Sequence, residues 1–182
     1  MKVKELMLDR FSLLLTNTSL TDAIRHITAD TVGVVVDAGG SPLSIVTVAD
    51  LSRAARAHAV SLNDPKAELP PAIVVGSGIE MSALAQSSML QLSSLGANGA
   101  VVLGGPNSVV GVLSFDTIIL RTFATPLTMS SVAAGALPGD PTTPQGVVWC
   151  RVCNYPNVIN FINYNKMPAC TNPAGPTHTL KV

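Results

Sequence analysis

The residues best suited to chemistry lie near the end of the chain. Cys150 and Cys153 are separated by two residues, Cys170 follows after sixteen more, and His178 after seven further. A Cys-x2-Cys step puts two thiolates on one tight turn, where both can face one ion. A later Cys and His can complete a tetrahedron, the arrangement a closed, structural Zn2+ site uses with three Cys and one His. With all four positions filled, no coordination position is left for catalysis. The wide Cys170–His178 gap makes His178 the weakest of the four by spacing. Free thiols or a Cys150–Cys153 disulfide are the alternative, although three cysteines cannot form a closed disulfide framework. Iron is a second candidate, but thiolate with imidazole suits zinc at least as well.

A second set of chemical groups lies upstream. Thr47 and Asp50 stand three apart at the start of a helical pattern, directly after an apolar run. Ser114 holds the matching place later in the chain. A hydroxyl at a strand end beside helix N-terminal amides can help hold an anion. The same Thr-x-x-Asp pair is also an ordinary capping box, and Ser19 with Asp22 has that spacing too. Arg53, Arg56 and Arg121 are basic residues near these positions; otherwise they are solvated helix charges. His26 and His58 fall on helices with no evident chemical partner.

The elements around these residues are duplicated. Thr28–Thr47 shifts by 67 positions, without a gap, onto Leu95–Ser114. Each copy reads as a helix end, a buried strand, a Gly-containing turn and a second strand. The strands are Val32–Val36 with Leu43–Thr47, and Ala100–Leu103 with Val109–Ser114. The turns Asp37-Ala-Gly-Gly and Gly104-Gly-Pro-Asn suit tight hairpins. Helices are expected before each pair, at Thr21–Ala29 and Ser82–Leu95. Others follow, at Ala49–Ala59 and from Phe115 to about Phe123. Leu13–Leu15 and Ile73–Val75 would open the copies as short strands.

This doubled unit resembles a tandem pair of cystathionine β-synthase (CBS) domains. The first copy carries Ser44-Ile45-Val46-Thr47-Val48-Ala49-Asp50, the family's strand-to-helix motif with Ser where Gly is usual. The second carries Gly111-Val112-Leu113-Ser114-Phe115-Asp116-Thr117, with Thr117 where Asp is usual and Asp116 one residue early. The resemblance implies an α+β fold of two β-α-β-β-α units. It implies clefts for AMP, ADP, ATP or S-adenosylmethionine. It implies contacts from Thr47 to phosphate or ribose, from Asp50 to ribose and from Ser114 to phosphate. Val34, Val35 and Ile45 would line an adenine slot. It also implies a homodimer, for which the uncharged Ser82–Leu95 stretch, with Ala83, Leu84, Met89, Leu90 and Leu92, offers a surface.

The domain plan follows. Residues 1–125 form the pair, copy one about 5–65 and copy two about 66–125. Residues 126–146, rich in Pro and Gly, form a linker. Residues 147–182 are similar to a zinc ribbon, with strands expected at Val147–Trp149 and Thr179–Val182. So small a segment does not fold on an apolar core alone. Trp149, Tyr155, Phe161 and Tyr164 suit either a protein partner or the ribbon's own core.

Composition narrows the function. The chain has 182 residues, is 47% apolar and only 12% charged, and has zero formal net charge. Soluble domains average roughly 25% charged residues. No apolar stretch reaches the roughly 18–20 residues of a membrane span. The opening Met-Lys-Val-Lys-Glu lacks the apolar core of a signal peptide. A soluble, cytoplasmic protein is expected. Neutral charge argues against nucleic-acid binding. Ser-His-Asp constellations and phosphate-cradling Gly-Lys loops are missing from the sequence, so a non-catalytic regulatory or adaptor protein is expected. A structural dimerisation module with degenerate clefts is the alternative.

Overall fold

The computed structural model describes residues 1–123, 144–161, 163 and 166–182. Most of the expected linker, residues 126–143, and Tyr164 lie outside the described residues.

The first copy folds as β1 (Phe11–Leu15), α1 (Leu20–His26), β2 (Val32–Val36), β3 (Pro42–Val46) and α2 (Val48–Arg56). The second folds as β4 (Ala72–Gly76), α3 (Met81–Ala85), β5 (Gly99–Gly105), β6 (Ser108–Ser114) and α4 (Phe115–Phe123). Both are β-α-β-β-α units of a mixed α+β fold. In each, the first two strands pair parallel across a helical crossover and the last two form an antiparallel hairpin. The hairpin turns touch: Asn107 Nδ2 donates to the Gly39 carbonyl at 3.1 Å.

The strand faces sort the core. Side chains alternate across a strand, so Val34, Val36 and Ile45 meet Ala72, Val101 and Val112 between the two sheets. Val35 and Val46 face the other way, toward Leu20 and Ala23 of α1 and Leu51 and Ala54 of α2. On the second unit Ile73, Val75, Ala100 and Val102 point outward to Met81, Leu84 and Ile118. The layers run helices, sheet, sheet, helices. Gly99, at φ 155°, takes a backbone conformation that residues with a side chain rarely adopt, and a Cβ there would strike the Leu113 carbonyl.

The expected helix at Ser82–Leu95 is broken. α3 stops at Ala85, and Ser88–Leu95 is a 3-10 helix. Ser93 Oγ donates to the Leu90 carbonyl at 2.8 Å and Ser94 Oγ to that of Gln91 at 2.7 Å. Such hydroxyls compete for backbone acceptors and favour tight turns. The expected dimer surface changes with it. Leu84 and Leu92 are fully buried in the second unit's core, and Leu90 packs against it. The Met89 side chain lies outside the described residues.

The C-terminal segment is continuous with the second unit. β7 (Gln145–Trp149) pairs antiparallel with the free edge of β4, and β8 (Pro156–Ile159) pairs with β7. This gives a five-stranded sheet in the order β6-β5-β4-β7-β8. Val148, Cys150, Ile159 and Leu180 share one core with Ile73 and Leu84. β7 begins at Gln145, inside the stretch expected as linker. The strand expected at Thr179–Val182 is reduced to one bridge, Ala169 to Thr179. Within the C-terminal segment, β7 pairs instead with β8, Pro156–Ile159.

Candidate functional site

The structure brings Cys150, Cys153, Cys170 and His178 together. Their ligand atoms all lie within 4.8 Å of one another. Two turns do this. Cys150 directly follows β7; its carbonyl accepts from Asn154 N–H at 2.7 Å while its N–H donates to the Tyr155 carbonyl at 3.0 Å. Asn154, at φ 51°, closes the turn in the left-handed region. The second turn is held by Cys170 N–H on the His178 carbonyl (2.8 Å) and Leu180 N–H on that of Pro168 (2.9 Å). Arg151 N–H donates to the Lys181 carbonyl at 2.8 Å and ties the turns together. Buried Asn157 adds another tie: its Oδ1 accepts from Thr171 N–H at 2.7 Å and Thr171 Oγ1 at 3.0 Å. Nothing in the sequence distinguishes Asn157 from the other asparagines nearby.

The donor set fits a tetrahedral metal. Bonds of about 2.0–2.3 Å require edges of roughly 3.3–3.8 Å. Cys150 Sγ lies 3.2 Å from His178 Nε2, and Cys153 Sγ lies 3.5 Å from Cys170 Sγ. All three cysteines are free of disulfides. His178 Nδ1 is held by the Pro176 carbonyl at 2.8 Å, which turns Nε2 inward as the ligand atom. Burial opposes ionisation of Cys150, but the Lys181 and Val152 amides and then His178 bring its pKa down to about 6. The Pro176 carbonyl, then Cys150, raises the pKa of His178. The pocket therefore favours thiolate at Cys150, the form that binds metal.

The upstream groups are placed differently. Thr47 and Asp50 form a complete capping box at the start of α2. Asp50 Oδ2 accepts from Thr47 N–H (2.9 Å), Thr47 Oγ1 (2.7 Å) and Asn98 Nδ2 (2.8 Å). Its Oδ1 pairs with Arg53 Nη2 at 3.0 Å. The carboxylate is thus engaged on both oxygens, and its side chain is 12% exposed. Ser114 does the same work for α4: its Oγ accepts from Thr117 N–H at 3.2 Å and lies 2.9 Å from Thr117 Oγ1. Asp116 is exposed. Val34, Val35 and Ile45 are core side chains. Ser44 is buried, and its hydroxyl donates to the Pro70 carbonyl at 2.8 Å, tying β3 to the segment between the units.

A cavity of about 770 Å3 opens beside Arg53. It lies between Glu68–Pro71, the Leu95–Gly96 turn and the Val148–Asn154 turn, and Cys150 and Cys153 are part of its wall.

No family model matches the chain, and no curated protein matches it in sequence. Solved structures of similar fold include CBSX2 in complex with AMP, at 16% identity and a TM-score of 0.48, covering 68% of this chain and 96% of that one. They include the CBS domain pair of protein MJ0100 in complex with 5'-methylthioadenosine and S-adenosyl-L-methionine. That chain is 20% identical with a TM-score of 0.49, over 68% of this chain and 99% of its own. A hemolysin-like protein containing a CBS domain from Oenococcus oeni PSU is 14% identical with a TM-score of 0.48, over 67% and 89%.

Proposed function

We propose that the chain is a non-catalytic regulatory protein whose paired units bind an adenine nucleotide or a related adenosyl ligand. A structural zinc ion held by Cys150, Cys153, Cys170 and His178 fixes the C-terminal segment. The observation that carries the reading is the duplicated unit itself. Both copies end their hairpins in hydroxyl-capped helices, Thr47 with Asp50 and Ser114 with Thr117. The sequence resemblance supplies the ligand class. Calorimetric titration with AMP, ATP and S-adenosylmethionine tests it: micromolar binding of one of them is expected, and no heat from any would end the ligand reading.

A second reading is favoured by one specific observation. Both Asp50 oxygens are already occupied by protein donors. In this reading the clefts are degenerate and the pair serves as a dimerisation scaffold.

Under either reading the protein is a homodimer in the cytoplasm, where thiols stay reduced. Among the described residues no helix is long and apolar enough to cross a membrane. With Leu84 and Leu92 inside the core, α4 is the better contact face, since Ile119 is 44% and Leu120 70% exposed. A protein partner would meet the C-terminal segment at Phe161, Val158 and Val152, all exposed apolar residues.

A further inference from the structure

We infer that the metal turn is one wall of the ligand site, so that ligand binding and metal loading are coupled. The inference rests on the ligand and metal readings above. The cavity of about 770 Å3 falls within the range of small-molecule sites, roughly 300–1,000 Å3. Four separate pieces of chain build it. Arg53 comes from the first unit, Glu68–Pro71 from the segment between the units, Leu95 and Gly96 from the second unit, and Val148–Asn154 from the C-terminal segment. Its charged groups are two guanidiniums, Arg53 and Arg151, against the Glu68 carboxylate and the thiolates that Cys150 and Cys153 turn to the metal. Arg53 is partly spent on Asp50. Arg151 uses its backbone N–H on Lys181, and its guanidinium makes no ion pair among the described residues. Pro70, Leu69 and Val152 supply apolar wall. The ligand that fits is a small molecule with an apolar or aromatic body and an anionic group, which is the chemistry of a nucleoside monophosphate.

Cys150 and Cys153 carry the far wall, and both are metal ligands. With the ion bound, the turn between them holds one shape. Without it, Arg151 and Val152 lose the frame that presents them to the cavity. A ligand that favours the framed turn must, by linkage, strengthen the metal in the same proportion.

AMP titrated calorimetrically into the full chain, first zinc-loaded and then stripped with EDTA and dialysed, tests the coupling. The stripped chain is expected to bind AMP about tenfold or more weakly. Saturating AMP is expected to raise zinc affinity by the same factor, measured against a chromophoric chelator. In the loaded chain Arg151→Ala should weaken AMP about tenfold, and Val152→Trp, which fills the cavity from an exposed position, should weaken it also. Equal AMP affinity in loaded and stripped protein overturns the coupling. Should the stripped chain unfold, the two variants decide, and unchanged affinity in both overturns the inference. Binding lost in Asp50→Ala but kept in Val152→Trp overturns it while leaving the nucleotide reading intact. No heat from AMP, ATP or S-adenosylmethionine removes both.

Discussion

Asn98 of the second unit donates its amide to the Asp50 carboxylate of the first, at 2.8 Å. The same nitrogen reaches the Ile45 carbonyl, also at 2.8 Å. One side chain thereby joins a helix cap and a strand end across the boundary between units. The bond helps explain why Asp50 can be nearly buried: Arg53 and three hydrogen bonds to one oxygen meet its carboxyl group. It also sets the terms for a ligand, which must displace Asn98 or bind beside it.

Replacing Asn98 with Leu leaves the Ile45 carbonyl and Asp50 short of a donor in a half-buried setting. A loss of about 1–3 kcal/mol is expected. Asp50→Ala removes the cap and orphans Asn98, and should cost at least as much, about 2 kcal/mol. Urea denaturation of both variants reads the loss. A change below about 0.5 kcal/mol in each would show that the bridge contributes nothing to the pairing of the units.

Metal removal is expected to destabilise the whole chain. β7 pairs with β4, and Cys150 and Leu180 lie in the same core as Ile73 and Leu84. Cys153→Ser, or treatment with EDTA, should lower the melting temperature of a single cooperative transition and release one zinc per chain, read by elemental analysis. Two well-separated transitions in calorimetry would show instead that the C-terminal segment melts on its own.

The parts legible in the sequence are those with a local signal. Val32–Val36 and Gly99–Gly105 are β-branched or small runs closed by polar and Gly residues, so the period and the ends both mark strands. The gapless shift of 67 doubled every such signal. The Cys and His spacing marked the Cys3His cluster, which the fold brings together within 4.8 Å. What stayed hidden depends on pairing over long distance. Pro156–Ile159 has too little β character to announce β8, and nothing local says that β7 will seek the edge of β4. Asn98 and Asn157 look like ordinary loop residues until their amides find Asp50 and Thr171. The Ser82–Leu95 break was visible in principle, since five serines, which compete for backbone acceptors, stand in that stretch.

Acid should empty the metal site. Zinc needs three thiolates and a neutral imidazole, and each proton bound competes with it. The carbonyl of Pro176, then the Cys150 thiolate, favour the protonated form of His178, so it is an early point of competition. Zinc affinity, measured with a competing chelator, is expected to fall by more than about tenfold between about pH 7.5 and about pH 5.5. His178→Ala should weaken zinc at neutral pH and flatten that dependence. A dependence identical to that of the unsubstituted chain would remove His178 from the ligand set.

The proposed dimer is tested on α4. Leu120 is 70% exposed and Ile119 44%, on a helix whose Ile118 is fixed in the core. A charge at Leu120 therefore acts on association and leaves folding alone. Leu120→Asp should convert a dimer to a monomer in size-exclusion chromatography with light scattering. The monomer should keep its melting temperature to within a few degrees, because surface substitutions of this kind usually shift stability by about 0.5 kcal/mol or less. If the variant stays dimeric, the contact lies elsewhere, and the exposed β1 edge with Leu13 and Leu15, 58% and 50% exposed, is the next face to charge. If the unsubstituted chain is itself monomeric across the micromolar range, the homodimer falls with no variant needed.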